Sequence, residues 1–163
     1  MKYYKITQRS IANNIVSVPS ISIEEASGSH GIVKHIEDPT NKILLNFYEN
    51  TSPIVSDKLK VALKPYIPEV IGIPVHLAHI TLKFGAIYWI LNLEPVSCKT
   101  GGSKMCFESD DIKEKKLFKV KLGLRNYVIV DFDIAELILR NSITDILFEE
   151  VIVATIEGSL INA

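Results

Sequence analysis

A chain of 163 residues with 47% hydrophobic and 23% charged side chains has enough apolar material for one folded core, which excludes a disordered chain. Eighteen Lys and Arg residues nearly balance nineteen Asp and Glu residues, and the net charge of -1 argues against a protein held to nucleic acid through phosphates. The longest apolar run, Ala86 to Leu91, is too short to cross a bilayer, and polar residues interrupt the N-terminal MKYYKITQRS too often for a secretion signal. We therefore expect a single cytoplasmic domain over residues 1–163, with neither a membrane nor a nucleic acid as partner.

The first predicted strand is KILLNFY, Lys42 to Tyr48, in which Ile43, Leu45 and Phe47 share one face. Before it, from Ile11 to Pro39, Ser, Asn, Gly and Pro interrupt any period, and SGSHG within this stretch predicts a turn. We expect the part of the chain before about residue 50 to be the more variable part of the domain.

The first predicted helix lies in SPIVSDKLKVALKPY, with Ser52 or Ser56 as its N-cap and Pro53 in the first turn, where proline is tolerated. Pro65 and Pro68 follow the periodic stretch and end the helix. The apolar residues at helical spacing are Val55, Leu59, Ala62, Leu63 and Tyr66.

A β-hairpin is predicted in HLAHITLKFGAIYWILNLEP, because two alternating runs flank Gly85-Ala86 and glycine suits the first position of a type II′ turn. The resulting register gives one face to the core and a mixed face to water, with Trp89 on the core face and Tyr88 on the wetter face. The predicted core pairs are Phe84–Ile87, Leu82–Trp89, Ile80–Leu91 and Ala78–Leu93, and the wetter pairs are Lys83–Tyr88, Thr81–Ile90 and His79–Asn92.

The C-terminal third predicts further strands around a second helix. LFKVKL, Leu117 to Leu122, pairs with YVIVDF through the loop GLRN, and ILFEEVIVATI forms one or two strands. The helix lies in DFDIAELILRN, with Asp131 or Asp133 as its cap. We therefore predict an α+β fold, a mostly antiparallel sheet with about two packed helices.

The two predicted helices lie in segments with the same order of parts. IVSDKLKVALKPYIPEVIGIPV and IVDFDIAELILRNSITDILFEE both run from Ile-Val through an acidic cap region and a helix to a strand. This shared order is consistent either with an internal duplication or with the usual succession of a capped helix and a strand, and we prefer the second interpretation.

SCKTGGSKMCF holds both cysteines and follows two histidines, His76 and His79, so these residues are the candidates for metal or disulfide chemistry. The spacings of Cys98 to Cys106 and of His76 to His79 do not match a structural zinc site, and three residues along a strand reverse the side-chain direction. In a reducing compartment the two cysteines stay thiols, although a strand pair could bring them together. We expect no metal, no cofactor and only an inter-strand connection here.

Catalytic motifs are also missing from the sequence. TGGSK lacks the remainder of a phosphate-binding loop, since Lys104 is followed by Met105 and MCFE looks extended. GSHG is no nucleophile elbow, and adjacent carboxylates such as Glu149-Glu150 point to opposite faces of a strand. We therefore expect no catalytic residues and no enzyme.

The order of the segments MKYYKIT, SPIVSDKLKVAL, IGIPVHL, YWILNLEPVSC, LFKV and YVIVDFDIAELILRNSITDILFEEV resembles a family of small bacterial immunity proteins from polymorphic toxin systems. The relevant groups are numbered eleven and forty-three and overlap an older family of domains of unknown function. The resemblance implies an intracellular protein that binds and neutralises a cognate protein toxin without chemistry of its own. It also implies that VSCKTGGS lies in an inter-strand loop.

Acidic side chains suit such a role, because charge complementarity speeds association with toxins that act on nucleic acid. Tyr88, on the predicted wetter face, suits an anchor. The candidate partner-binding residues are Glu37, Asp38, Tyr88, Asp110, Asp111 and Glu114.

Two other classes of function stay open at this point. One is a small enzyme or ligand-binding domain with a pocket formed by His79, Tyr88 and Ser103 on the wetter face. The other is a structural or adaptor domain, for which a homodimer through an exposed edge strand would be the plainest sign.

Overall fold

Short helices separate mostly antiparallel strands in the computed structural model, which describes residues 1–9, 14–26, 31–101, 104–154 and 160–161. The helices are α1 (Ile23–Ala26), α2 (Asp57–Leu63), α3 (Ser109–Ile112) and α4 (Phe132–Arg140), with a 3₁₀ turn at Pro68–Val70. The strands are β1 (Tyr3–Gln8), β2 (Ile32–His35), β3 (Phe47–Tyr48), β4 (Ile54–Ser56), β5 (Ile71–His79), β6 (Phe84–Leu91), β7 (Lys99–Gly101), β8 (Lys104–Glu108), β9 (Leu117–Leu122), β10 (Arg125–Asp131), β11 (Ile146–Glu150), β12 (Ile152–Ala154) and β13 (Leu160–Ile161).

Three sheets hold the described strands, in the orders β11-β1-β10-β9, β2-β5-β6-β4-β3 and β13-β12-β8-β7. The predicted α+β class is confirmed, and the fold is a single α+β domain with mostly antiparallel sheets. Among the described helices, none has both the length and the apolar composition needed to cross a bilayer.

Two parts of the domain share one topology. One part consists of the hairpin β3–β4, helix α2 and strand β5, and its strands join β6 in the order β5-β6-β4-β3. The other part consists of the hairpin β9–β10, helix α4 and strand β11, and its strands join β1 in the order β11-β1-β10-β9. In each sheet the strands before and after the helix both pair antiparallel with a central strand. That central strand, β6, follows β5 directly in the first unit, whereas in the second unit it is β1, from the N-terminal segment.

The two helices begin in the same way because an oxygen-bearing cap residue ends each preceding strand. The side chain of Ser56 accepts a hydrogen bond from the Leu59 N–H, and that of Asp131 accepts one from the Ile134 N–H. Of the predicted alternatives, Ser56 rather than Ser52 and Asp131 rather than Asp133 are the caps, and Pro53 lies before β4 rather than in the helix. The helices pack against each other in one buried cluster. Counted from the caps, Leu59 is equivalent in position to Ile134, and Leu63 is equivalent to Ile138.

The equivalence extends to the aromatic side chains opposite each cap. Tyr88 pairs with Ser56 across the strands and Tyr3 pairs with Asp131. The Tyr88 ring lies 5.7 Å from that of Tyr48 in β3, and the Tyr3 ring lies 6.1 Å from that of Phe118 in β9. The shared topology, caps and ring contacts are more than the usual succession of a capped helix and a strand requires. They support the interpretation of two related units.

The predicted turn at Gly85-Ala86 was wrong, although β5 and β6 do form a hairpin. Ala78 pairs with Gly85 and His79 with Phe84, so the chain reverses between them, and the Lys83 N–H donates to the Ile80 carbonyl. The predicted wetter face is the buried one, because Tyr88 and Ile90 belong to one buried cluster. On the opposite face, Leu91 is buried in another cluster, Trp89 is half-buried and His76 is exposed. Large apolar side chains on both faces of β6 left the buried face and the register undefined by alternation.

The remaining strand predictions had mixed outcomes. The pairing of β9 with β10 is confirmed, although Arg125 and Asn126 of the predicted loop GLRN belong to β10, and ILFEEVIVATI contains the two strands β11 and β12. KILLNFY is a strand only at its end, β3, because Leu45 and Phe47 enter different buried clusters and Ile43 is exposed. Residues 27–30 of the predicted SGSHG turn lie outside the described residues.

Candidate functional site

The connection between β5 and β6 exposes large apolar side chains. Ile80 is 75% exposed and Leu82 is 47% exposed. Leu82 also lines a cleft of about 420 Å³ together with the half-buried Pro39, Leu44 and Phe84. We name Ile80, Leu82 and these three residues the turn surface, a set of five exposed or half-buried apolar side chains at and beside the β5–β6 turn.

Charged side chains flank the turn surface. The Lys42 ammonium lies 2.8 Å from a Glu37 carboxylate oxygen, and Lys42 and Lys83 both line the cleft. Asp38 accepts a 2.8 Å hydrogen bond from the Thr40 N–H. Hydrogen bonds from Thr40 hold the pKa of Asp38 below its usual value, with a smaller contribution from the positive charge of Lys42. The predicted residues Glu37 and Asp38 thus lie on the rim of an apolar surface.

Local backbone geometry holds the turn in place. Lys83 has φ 52, in the left-handed region, and its N–H closes the turn by donating to the Ile80 carbonyl. The Nδ1 atom of His79 accepts a 3.3 Å hydrogen bond from the Leu82 N–H. The residues of the turn carry none of the usual Gly, Asn or Pro signals, so sequence reasoning missed Ile80 and Leu82 and placed them in strands.

Asp110, Asp111 and Glu114 lie elsewhere, on α3 and the turn that follows it. All three are exposed, and the structure gives none of them a salt-bridge partner among the described residues. Asp110 and Glu114 line a second cleft, of about 690 Å³. The lysines at positions 113, 115 and 116 line the same cleft, so this surface carries mixed charges rather than an acidic patch.

Tyr3, Asp131 and Ile112 also line the larger cleft. The Tyr3 hydroxyl donates a 3.0 Å hydrogen bond to the Ile112 carbonyl. Burial raises the pKa of Tyr3, and the Asp131 charge adds to that effect. Burial likewise raises the pKa of Asp131, although hydrogen bonding at the start of α4 and the nearby Lys116 oppose this shift. This cleft therefore combines apolar walls with perturbed titrating groups.

Tyr88 is not on a wet face, and its predicted role as an exposed anchor was wrong. The side chain is 3% exposed, and its hydroxyl donates to the carbonyl of Leu45. Burial raises the pKa of Tyr88. Trp89, on the opposite face of β6, is half-buried, with its Nε1 donating to Asp57 at 3.0 Å and the Lys60 ammonium 4.3 Å from its ring centroid.

The pocket predicted from His79, Tyr88 and Ser103 is not assembled as expected. Tyr88 points into the core, His79 lies at the β5–β6 turn, and Ser103 lies outside the described residues. Within the described ranges, no three His, Cys, Asp or Glu side chains are grouped closely enough to bind a metal.

SCKTGGSKMCF contains the hairpin β7–β8, with residues 102 and 103 outside the described part, and the prediction that MCFE is extended is confirmed. Lys99 rather than Cys98 is the cross-strand partner of Cys106, and both cysteines are half-buried thiols. Burial raises the pKa of Cys98, and the neighbouring Cys106 adds to that effect. The expectation that this segment is only an inter-strand connection, with VSCKTGGS in a loop, was wrong, because Lys99–Gly101 forms a strand that pairs with β8.

Neither the protein-family models nor the curated proteins with which this chain was compared match it. The resemblance to immunity proteins thus stays a prediction.

Proposed function

We propose that this protein is a binding module that neutralises a cognate bacterial protein toxin by non-covalent contact, as the resemblance to immunity proteins implies, and that it does so through the turn surface. The supporting observation is the exposed apolar pair Ile80 and Leu82 beside an apolar cleft with charged residues around it. A partly apolar centre with a polar rim is the usual anatomy of a protein–protein interface.

The turn surface differs from a solitary exposed apolar residue. Leu124, at the tip of the β9–β10 hairpin, is fully exposed, but its cleft is otherwise lined by polar side chains and Tyr127. Scattered apolar residues of that kind are common on protein surfaces, whereas continuous apolar surfaces more often mark binding sites. Leu124 therefore provides a matched control for the turn surface.

The charged residues around the turn surface, Glu37, Asp38, Lys42 and Lys83, would orient a bound partner rather than attract it over a long distance. Glu37 and Lys42 are already paired, and hydrogen bonds from Thr40 hold the Asp38 carboxylate, so these groups enter a complex with little loss of side-chain freedom. Lys83 has no salt-bridge partner among the residues that the structure describes. A partner that presents an apolar pocket and an acidic group opposite Lys83 would complement this surface.

Burial of the exposed parts of Ile80 and Leu82 would contribute about 3 kcal/mol together, which corresponds to about 100-fold in Kd. The test is a pull-down with tagged wild-type protein, with Ile80→Asp/Leu82→Asp and with Leu124→Asp, from a lysate of the source organism. We expect one stoichiometric secreted protein that is bound by wild type and Leu124→Asp and lost with the double variant. Retention of that protein by a folded double variant would exclude the turn surface.

A second candidate function, a small-molecule-binding domain, is favoured by the cleft of about 690 Å³ lined by Tyr3 and Asp131. Its volume lies within the usual range of ligand pockets, and both titrating groups have raised pKa values. Native mass spectrometry of the purified protein distinguishes the candidates, because a co-purified small molecule supports this one and a protein partner supports the first.

A further inference from the structure

The comparison of the two units identifies one internal carboxylate site. Asn46, the residue before β3, donates its main-chain N–H to Asp145 Oδ2 at 2.6 Å and its Nδ2 to the same carboxylate at 3.2 Å. Asp145 belongs to the other unit, where it directly precedes β11. One unit thus binds a carboxylate that the other unit presents.

Lys116 is the counterpart of Asn46 in the second unit. It directly precedes β9, and its carbonyl accepts from the Asp131 N–H at 2.9 Å, as the Asn46 carbonyl accepts from the Ser56 N–H at 2.8 Å. Each contact joins the residue before the hairpin to the cap residue of the helix. Lys116 therefore presents its N–H and side chain at the position that Asn46 occupies in the first unit.

The counterpart of Asp145 is Val70, which has no carboxylate. Val70 directly precedes β5, and its carbonyl accepts from the Asn92 N–H at 2.9 Å, as the Asp145 carbonyl accepts from the Arg9 N–H at 2.9 Å. Among the described residues, no acceptor receives the Lys116 N–H, and no carboxylate oxygen lies within 4.0 Å of its ammonium. The chain pairs Asn46 internally but not Lys116.

Lys116 faces a cleft that has room for a ligand. A volume of about 320 Å³ lies between Tyr66, in the segment that follows α2, and the α4 residues Asp133, Glu136 and Arg140. Arg140 is paired with Glu136. The four charges of Lys116, Arg140, Asp133 and Glu136 cancel, and the Asp131 carboxylate also lies near Lys116, so binding here depends on direct donors rather than on a long-range field.

We infer that the main-chain N–H and the ammonium of Lys116 form a binding position for a carboxylate supplied from outside the chain, the counterpart of the internal site at which Asn46 binds Asp145. A free small carboxylate and an acidic side chain of a partner share this chemistry. The inference concerns a cleft lined by different residues from the turn surface and does not rest on the proposed function.

The test is a titration of ¹⁵N-labelled protein with acetate, followed by the amide resonances in two-dimensional NMR spectra. We expect a saturable downfield shift of the Lys116 amide, while the Asn46 amide, already bonded to Asp145, stays in place. Acetamide is the neutral control and should cause no such shift. The variant Lys116→Gln keeps the N–H but loses the ammonium, so it should weaken acetate binding about tenfold, whereas Lys113→Gln should not.

A parallel titration with acetyl-Ala-Glu-Ala-amide, with acetyl-Ala-Gln-Ala-amide as control, separates the two sources of the carboxylate. Tighter binding of the glutamyl peptide than of acetate assigns the site to a partner side chain, and the reverse order assigns it to a small carboxylate. The inference is overturned if neither probe shifts the Lys116 amide saturably, or if Lys113→Gln weakens binding as much as Lys116→Gln.

Discussion

Replacement of Asp145 by alanine should destabilise the protein more than any exposed acidic substitution, because Asp145 joins the two units. The residue is 9% exposed, and its carboxylate accepts from both the N–H and the Nδ2 of Asn46. The Asn46 Oδ1 in turn accepts from the Ser56 hydroxyl at 2.7 Å, and the same hydroxyl oxygen caps α2. The variant therefore loses one end of a connected chain of hydrogen bonds.

The expected loss follows from the groups left behind. Hydrogen bonds to a charged acceptor contribute about 1.5–3 kcal/mol each, and the Asn46 N–H would remain partly buried without its acceptor. Because Asn46 Nδ2 is able to turn towards water, we expect a decrease in the free energy of unfolding of about 2–4 kcal/mol, or about 5–12 °C in Tm for a domain of this size.

Urea denaturation measures this loss, with the fluorescence of Trp89, the single tryptophan of the chain, as the signal. Asp133→Ala is the control, since Asp133 is exposed and should change stability by less than about 0.5 kcal/mol. A double-mutant cycle with Asn46→Ala should give a coupling energy of about 1–3 kcal/mol. A loss below about 0.5 kcal/mol in Asp145→Ala, or no coupling to Asn46, would refute the reasoning.

Two further predictions concern the turn and the second helix cap. Lys83→Gly should stabilise the protein by about 1 kcal/mol, because Lys83 has a left-handed φ of 52 that glycine adopts without strain, and Lys83→Val should destabilise it in the same urea assay. The reasoning fails if glycine is no better than lysine there. Since burial raises the pKa of Asp131 above 3.8, the folded state favours its neutral form, and the contribution of this group to stability is lost as pH rises through the folded pKa. Asp131→Asn, which keeps a capping oxygen, should therefore gain stability relative to wild type between about pH 4 and pH 7, and a constant difference would contradict the raised pKa.

Local signals in the sequence predicted α2 and α4 but not the one-turn helices α1 and α3. Ser56 and Asp131 were each one of two cap candidates, because a side-chain oxygen before an apolar helical period satisfies free N–H groups wherever the helix packs. The β9–β10 hairpin was predicted from the alternation in LFKVKL and the loop GLRN that follows, and the structure places Gly123 of that loop at a positive φ of 61. These features depend on neighbours along the chain.

Features that depend on distant parts of the chain were not predictable. The predicted register of β5 with β6 was wrong because β6 carries large apolar side chains on both faces, so Tyr88 and Trp89 gave no guide to which face is buried. The turn surface was missed because Ile80 and Leu82 continue the alternating pattern of a strand, although they lie in the turn. Asn46 and Asp145 lie 99 positions apart, and no local pattern predicts their contact.

Growth rescue tests the central proposal most directly. The toxic portion of the protein recovered by pull-down is expressed in a sensitive bacterium together with wild type, with Ile80→Asp/Leu82→Asp or with Leu124→Asp. The proposal predicts growth with wild type and with Leu124→Asp, and arrest with the double variant at equal levels of folded protein. Full rescue by the double variant would contradict neutralisation through the turn surface, and no rescue by wild type would contradict the immunity function itself.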